Sequence, residues 1–276
     1  MRRLIVNADD LGCGSERDRG IFQSFSRGIV TSVSLLANGP SFASAAATAR
    51  ELGLPLGVHL NLSEGMPLRG AITGLTGVTD AFPGKTELRR FLARGEADPA
   101  PLYRELAAQI EKVLAAGIVP DHLDTHQHFS LYPVATTILL DLAREYAIPA
   151  LRLPAPVEPP AVDPGSELGE EMSLYRRLSP AFTAQVRGSG LATPDGLFGM
   201  PLLNRLNQET LLATLRSIPA GTWELMVHPG YPDDNSPFSG AARHTELVAL
   251  TSPIIAAELR RCGITPINFR ELTCGF

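Results

Sequence analysis

The chain has 276 residues, of which 19% are charged and 44% hydrophobic, and its net charge is −5. That length suits two average domains or one α/β barrel of about 250 residues, and the apolar content excludes a disordered chain. The negative balance excludes the basic footprint that nucleic acid requires, and Cys13, Cys262 and Cys274 form no metal-type or redox-type pair, which argues against a disulfide framework and for a reducing compartment.

The first apolar run covers residues 4–8 and meets two acids, which makes it too short for the core of a secretion signal. No stretch reaches the roughly 18 apolar residues of a membrane helix, so the expectation is a cytoplasmic protein with no membrane contact. A helical pattern at 16–27 follows, then an apolar run at 32–37 and a helix from the N-cap Ser41 to Gly53 at C′. Residues 56–62 read as a strand, and 65–84, rich in Gly, Thr and Pro, as a long loop. A helix at 99–116 closes at Gly117, a strand at 121–126 ends in histidine, and Pro133 opens a helix that runs to Tyr146. Residues 150–153 form a short strand, and the proline-rich 153–169 form a second long loop. A weak strand at 196–198, a helix at 207–217 and a strand at 222–228 come next. A helix opened by Ser252-Pro253 and closed by Gly263, then a strand at 264–269, complete the chain.

Strand–helix alternation of this kind argues for a parallel sheet. Seven or so repeats make a single (β/α) barrel, incomplete or distorted, the first choice and an open doubly wound sheet the second. The Gly-x-Gly-x-x-Gly and Gly-x-x-x-x-Gly-Lys fingerprints of nucleotide sites are absent. The two long loops separate no self-sufficient patterns, so they read as substrate-shaping loops of one domain spanning 1–276.

The reactive residues fall at predicted strand ends. Asp9 and Asp10 end the first strand, His59 lies near the end of the third, and Asp124 and His126 end the next. Arg152 lies near the end of the short strand, and His228 ends 222–228. In a parallel barrel all strand C-termini open on one face, so these distant residues can share one site.

Each piece carries two readings. Asp9 and Asp10 are a metal ligand and a general base, or acids of a turn or helix cap; neighbours on a strand face apart, so both reach one cavity only if the strand stops there, as Leu11-Gly12 suggests. His59 and Asn61 share a polar face, or His59 is a core histidine held by the backbone. His122, Asp124 and His126 align on one face of an extended backbone; imidazole and carboxylate together suit a divalent ion, with a solvated edge strand as the other reading. His228, before Pro229-Gly230, is an acid/base group or a turn histidine. Arg152 pairs with a site carboxylate or caps a strand end in water, and His244 reads as a surface residue.

Four stretches together resemble the YdjC-like carbohydrate deacetylases: Asn-Ala-Asp-Asp-Leu-Gly (7–12), Gly-Val-His-Leu-Asn-Leu (57–62), His-Leu-Asp-Thr-His-Gln-His (122–128) and His-Pro-Gly-Tyr (228–231). The resemblance departs at Leu11, where that family usually has Phe, and at Gln127 and Ser130, where further histidines are common. It implies a barrel of the polysaccharide deacetylase-like type and a metal-dependent hydrolase that removes acetyl from an N-acetylated sugar or oligosaccharide. Asp10, His59 and His126 would hold one divalent ion, Mg²⁺ or Zn²⁺, with Asp9 as general base and His228 as general acid. Asp124, Arg152, His128, Asn61 and Tyr231 would bind substrate or support those residues, with Asp124 orienting a ligand histidine and Arg152 keeping Asp9 ionised. Hydrolysis of another amide or a phosphoester, and a non-catalytic sugar-binding relative, stand as alternatives; a homo-oligomer is left open.

Overall fold

The computed structural model describes residues 1–157, 163–234 and 238–273. Its elements run β1 (Arg2–Leu11), α1 (Ser15–Arg27), β2 (Ser32–Leu35), α2 (Phe42–Glu51), β3 (Leu56–Leu60), α3 (Lys85–Ala93), α4 (Pro99–Ala115), β4 (Leu123–Thr125) and α5 (Pro133–Glu145). They continue α6 (Glu167–Gly188), β5 (Leu197–Phe198), α7 (Gln208–Ser217), β6 (Gly221–Val227), α8 (Ala241–Leu250), α9 (Pro253–Arg261), β7 (Ile264–Ile267) and α10 (Phe269–Thr273). None of the described helices is long and apolar enough to cross a membrane.

All the strand pairs are parallel, in the order β4-β3-β2-β1-β6-β5, with β7 beside β1. β6 lies along β1 from Arg2 to Ala8, so β7, which pairs with Arg2–Ile5, and β2, which pairs from Asn7 onward, must share the opposite edge. The ring closes through single bridges rather than full ladders. Leu151 pairs with Leu123 of β4, Ala150 with Ala192, and Pro156 with Leu197 of β5. The result is a distorted (β/α) barrel whose expected strand at residues 150–153 is reduced to isolated backbone pairs.

Period-2 alternation sorts β1 into two faces. Leu4, Val6 and Ala8 join the main core beneath the helices, whereas Ile5 packs inside the barrel on a small floor with Ala150, Ile267 and Phe269. Above that floor the interior is polar: Asn7, Ser34, His59, Asp124, Arg152 and Glu224 are at most 3% exposed. Buried charge is tolerated only when paired, so this interior is where interactions are most constrained.

Several predicted boundaries move. The strand predicted at 56–62 stops at Leu60, and the one at 121–126 is only Leu123–Thr125, with His126–Leu131 coiled into a 3₁₀ turn. The strand predicted at 264–269 gives way at Phe269 to α10. Helices α3, α6 and α8 were not anticipated; α6 follows a proline-rich stretch and carries Pro180 within it, both of which read as helix breakers in sequence. Residues 158–162 of the proline-rich loop and Cys274 lie outside the described residues.

Candidate active site

The C-terminal ends of the strands open into a cavity of about 1070 Å³ that reaches Asp9, Asp10, His59, His126 and His228. The expectation that β1 stops at the acids is corrected: the strand runs on to Leu11, with its pairing irregular between Ala8 and Leu11. At that irregularity Asp10 adopts φ 70°. A left-handed non-glycine residue is held at a cost of about 1–3 kcal/mol. Here it turns Asp10 to the same side as Asp9, which straight alternation forbids.

Asp10 Oδ1 meets two imidazoles, with His126 Nδ1 at 3.2 Å and His59 Nε2 at 3.5 Å; those two nitrogens are 3.3 Å apart. The other carboxylate oxygen, Oδ2, accepts from Arg17 Nη1 at 3.0 Å. Asp10 Oδ1 is buried yet accepts no well-directed hydrogen bond. Donors sharing one divalent cation at about 2.0–2.2 Å stand about 3–3.5 Å apart, so this carboxylate and two imidazoles fit a cation.

Asp9, His59 and Asp124 also cluster tightly. Here the oxygens already have donors. Arg152 donates from Nη2 to Asp9 Oδ1 at 2.6 Å and from Nη1 to Asp9 Oδ2 at 2.7 Å. It also pairs with Asp124 Oδ2 at 2.8 Å and with Glu224 Oε1 at 2.7 Å. The guanidinium fork, with Asn7, Ser34 and His59, already occupies the oxygens of Asp9 and Asp124 with hydrogen bonds, which leaves none of the four turned to a cation.

The electrostatics separate the two clusters further. Burial opposes charge on His126, but Asp10 and Glu64 outweigh it and lift its pKa to about 10. Burial opposes charge on His59 too, yet Asp124 and Asp9 raise it. Burial would raise Asp10, but His126 and Arg17 hold it well below the usual carboxylate range. His228 goes the other way: burial drives its imidazole well below the usual value, with Asp10 opposing and Arg243 and Arg17 adding to the drop.

His228 faces Asp9 across the cavity, Nε2 to Oδ2, at 4.0 Å. Its backbone is fixed by Glu246, which accepts from its N–H at 2.6 Å, and its ring stands edge-on to Phe238. The loop behind it can approach α1 because residue 20 is glycine; a Cβ there would sit 2.5 Å from Gly230 Cα.

Of the supporting residues, Asn61 lies just past β3 and builds the rim, its Oδ1 accepting from the N–H groups of Ser63 and Glu64. His128, at φ 53°, reaches the cavity with Nδ1 buried and unpaired, edge-on to Tyr175. Asp124 and Arg152 sit behind the cavity wall. Tyr231 does not join them: its hydroxyl donates to Gln23 and its ring lies under the Arg19 guanidinium, on the outer side of α1. His122, aligned with Asp124 as the alternation predicts, points at the barrel floor rather than the cavity, stacking on Phe269.

Three neighbours escaped the sequence. Glu224 had a usable signal, a lone acid in an apolar strand in phase with His228. Arg17 sits in the charged run 16–19 of a helical pattern, where nothing local sets it apart. Glu64, 3.4 Å from His126 Nε2, lay in a stretch without periodicity.

Comparison with known proteins agrees with this geometry. The family model described as YdjC-like protein matches residues 3–261. The carbohydrate deacetylase of Mus musculus is 33% identical over 293 residues, covering 95% of this chain and 92% of its own. A crystal structure from Enterococcus faecalis V583, of a protein named for cellobiose-phosphate cleavage, superposes with a TM-score of 0.76 at 26% identity and covers 99% of each chain. A mutant of a CE4 family pseudoenzyme shares the fold alone, with a TM-score of 0.50 at 11% identity over 99% of this chain and 67% of its own.

Proposed function

The chain belongs to the YdjC-like family, and from that premise we propose that it is a metal-dependent hydrolase removing acetyl from an N-acetylated sugar. The observation that carries this reading is the convergence of Asp10, His59 and His126 on one buried, unsatisfied oxygen, beside an Asp–His pair that spans the cavity. Residues 1–276 are read as one catalytic domain, because one apolar core draws on positions from Leu4 to Ile264.

Asp10 Oδ1, His59 Nε2 and His126 Nδ1 would hold a divalent cation. When bound, it supplies Lewis acidity toward the acetyl carbonyl and lowers the pKa of water. Mg²⁺ and Zn²⁺ both suit a mixed carboxylate–imidazole set. Asp9, oriented by the Arg152 fork, accepts a proton as water adds to the carbonyl carbon. His228, with Nε2 4.0 Å from Asp9 Oδ2 and neutral at rest, takes over the proton that Asp9 accepted and passes it to the departing amine nitrogen as the C–N bond breaks. Asp124 accepts from His59 Nδ1, which leaves Nε2 of that ring facing Asp10. Water and amide go in; acetate and free amine leave.

The test is an acetate-release assay on N-acetylglucosamine and its oligomers with added Mg²⁺ or Zn²⁺, run beside phosphate release from a generic phosphoester. Acetate release supports the proposal. Phosphate release alone, or sugar binding without turnover in both metals, overturns it.

A further inference from the structure

Below the cavity a hydrogen-bonded column runs down the barrel interior, and the chemistry above uses only its upper end, Asp124 and His59. At the floor, Asp121 Oδ2 takes Arg270 Nε at 3.1 Å and Asp121 Oδ1 lies 2.6 Å from His122 Nδ1. His122 Nε2 is 3.2 Å from Ser34 Oγ. Ser34 Oγ in turn accepts from Asn7 Nδ2 at 2.8 Å and donates to Asp124 Oδ2 at 2.9 Å. Asp124 Oδ1 is 2.8 Å from His59 Nδ1. Ser34 and His122 are 0% exposed. The His122 ring fits because residue 57 is glycine; a Cβ there would lie 2.3 Å from ring carbon Cε1.

Proton counting gives the column a direction. A hydroxyl has one proton and two lone pairs. Asn7 Nδ2 is a donor and fills one lone pair of Ser34. Asp124, paired with Arg152, is an acceptor and needs the proton. The remaining neighbour, His122 Nε2, must then donate, and Nδ1 of the same ring donates to the Asp121 carboxylate, so both ring nitrogens carry a proton in this arrangement. An acceptor at that place would compete for the single proton and draw it off Asp124. With Ser34 and Arg152 both donating to Asp124 Oδ2, Oδ1 is left for the His59 Nδ1–H. The Nε2 lone pair of His59 then faces Asp10 Oδ1.

We propose that His122 is a positioning residue: through Ser34 it fixes the Asp124 carboxylate, and so the tautomer and tilt of His59 at the cation site. The proposal rests on His59 being a ligand, as the proposed function has it. Partners behind a metal-bound histidine are typically worth about 10–100-fold in metal affinity.

The test is Zn²⁺ affinity of the metal-stripped full chain, measured by competition with a chelator, with folding checked by thermal melting. His122→Phe keeps the ring stacking and removes both nitrogens; it is expected to weaken Zn²⁺ about tenfold. Ser34→Ala is expected to do the same, and the double variant to be no weaker than Ser34→Ala alone. His122→Gln, which can still donate to Ser34, should recover most of the loss. The ¹⁵N shifts of the His59 ring should move from a single Nδ1–H tautomer to a mixture in His122→Phe. Parent-like affinity in folded His122→Phe, or losses that multiply in the double variant, overturns the proposal. If His122→Phe does not fold, Ser34→Ala and His122→Gln decide: a weakened Ser34→Ala beside a near-parent His122→Gln supports the column, and a parent-like Ser34→Ala overturns it. His59→Ala separates the two ideas: parent-like Zn²⁺ affinity in that variant sinks the ligand set itself.

Discussion

Two clusters of the same residue types sit side by side in the barrel mouth, yet one has its carboxylate oxygens filled with donors and the other does not. Around Arg152, the carboxylates of Asp9, Asp124 and Glu224 share one guanidinium fork. Around Asp10, a buried oxygen faces two imidazoles and lacks a directed donor. The difference is what the proposed roles rest on, Asp9 as base and its sequence neighbour Asp10 as ligand. Arg152 gives the Asp9 oxygens directed donors, whereas Asp10 has Arg17 on one oxygen and leaves the other facing two ring nitrogens. The left-handed turn at Asp10 is what parts the two carboxylates into these surroundings.

Four experiments break or sharpen that contrast. His126→Ala removes a nitrogen from the unsatisfied cluster. Metal content of the purified variant should fall to background, and turnover should drop at least about a thousandfold, since a metal supplies several kcal/mol of charge stabilisation. Full metal content with lost activity would mean that the ligand set has been misread.

Arg152→Met strikes the satisfied cluster. It leaves Asp9, Asp124 and Glu224 buried without their cation, so denaturant unfolding should show a loss of about 3–5 kcal/mol. A parent-like unfolding curve would show that the carboxylates do not depend on it. Such a result would erase the distinction between the clusters.

His228→Ala touches neither cluster's charge balance. Metal content should stay at the parent level while kcat falls about a hundredfold, the lower range for removing an acid/base group. Loss of metal in this variant would place His228 among the ligands instead.

The smallest effect is a pH slope. Asp10 and Glu64 hold His126 protonated up to about pH 10, and a cation must displace that proton. Folded-state protonation is therefore lost, and affinity gained, as pH rises. Isothermal titration between pH 6 and 8, an interval of roughly two units, should show Zn²⁺ or Mg²⁺ affinity rising up to tenfold per unit for each proton released. A flat profile would contradict the hold of Asp10 and Glu64 on the His126 proton.

The linear pattern carried a good deal of this. Local alternation marks the strands because side chains on an extended chain face alternately, and that is visible at β1, β3 and β6 without knowing what packs on them. Acids and histidines at the ends of those strands, with the four short stretches they occupy, pointed to the family and to a barrel. The helix α6 was hidden, since Pro180 and the proline-rich approach signal a break that tertiary packing against the 3₁₀ turn at 126–131 overrides. Tyr231 was misplaced for the opposite reason: its neighbours in sequence enter the cavity, but the Gly230 turn sends its ring to Arg19.

What the amino-acid order determined by itself was the periodicity of each element and the chemical identity of the groups at its ends, because both depend on contacts a few residues apart. What only the tertiary structure decided was which partners each carboxylate meets. Asp9 and Asp10 are identical side chains in adjacent positions; one meets Arg152 from 143 residues away and the other meets Arg17 and two histidines. Burial and long-range Coulomb terms set their roles, and neither exists until the strands have closed around them.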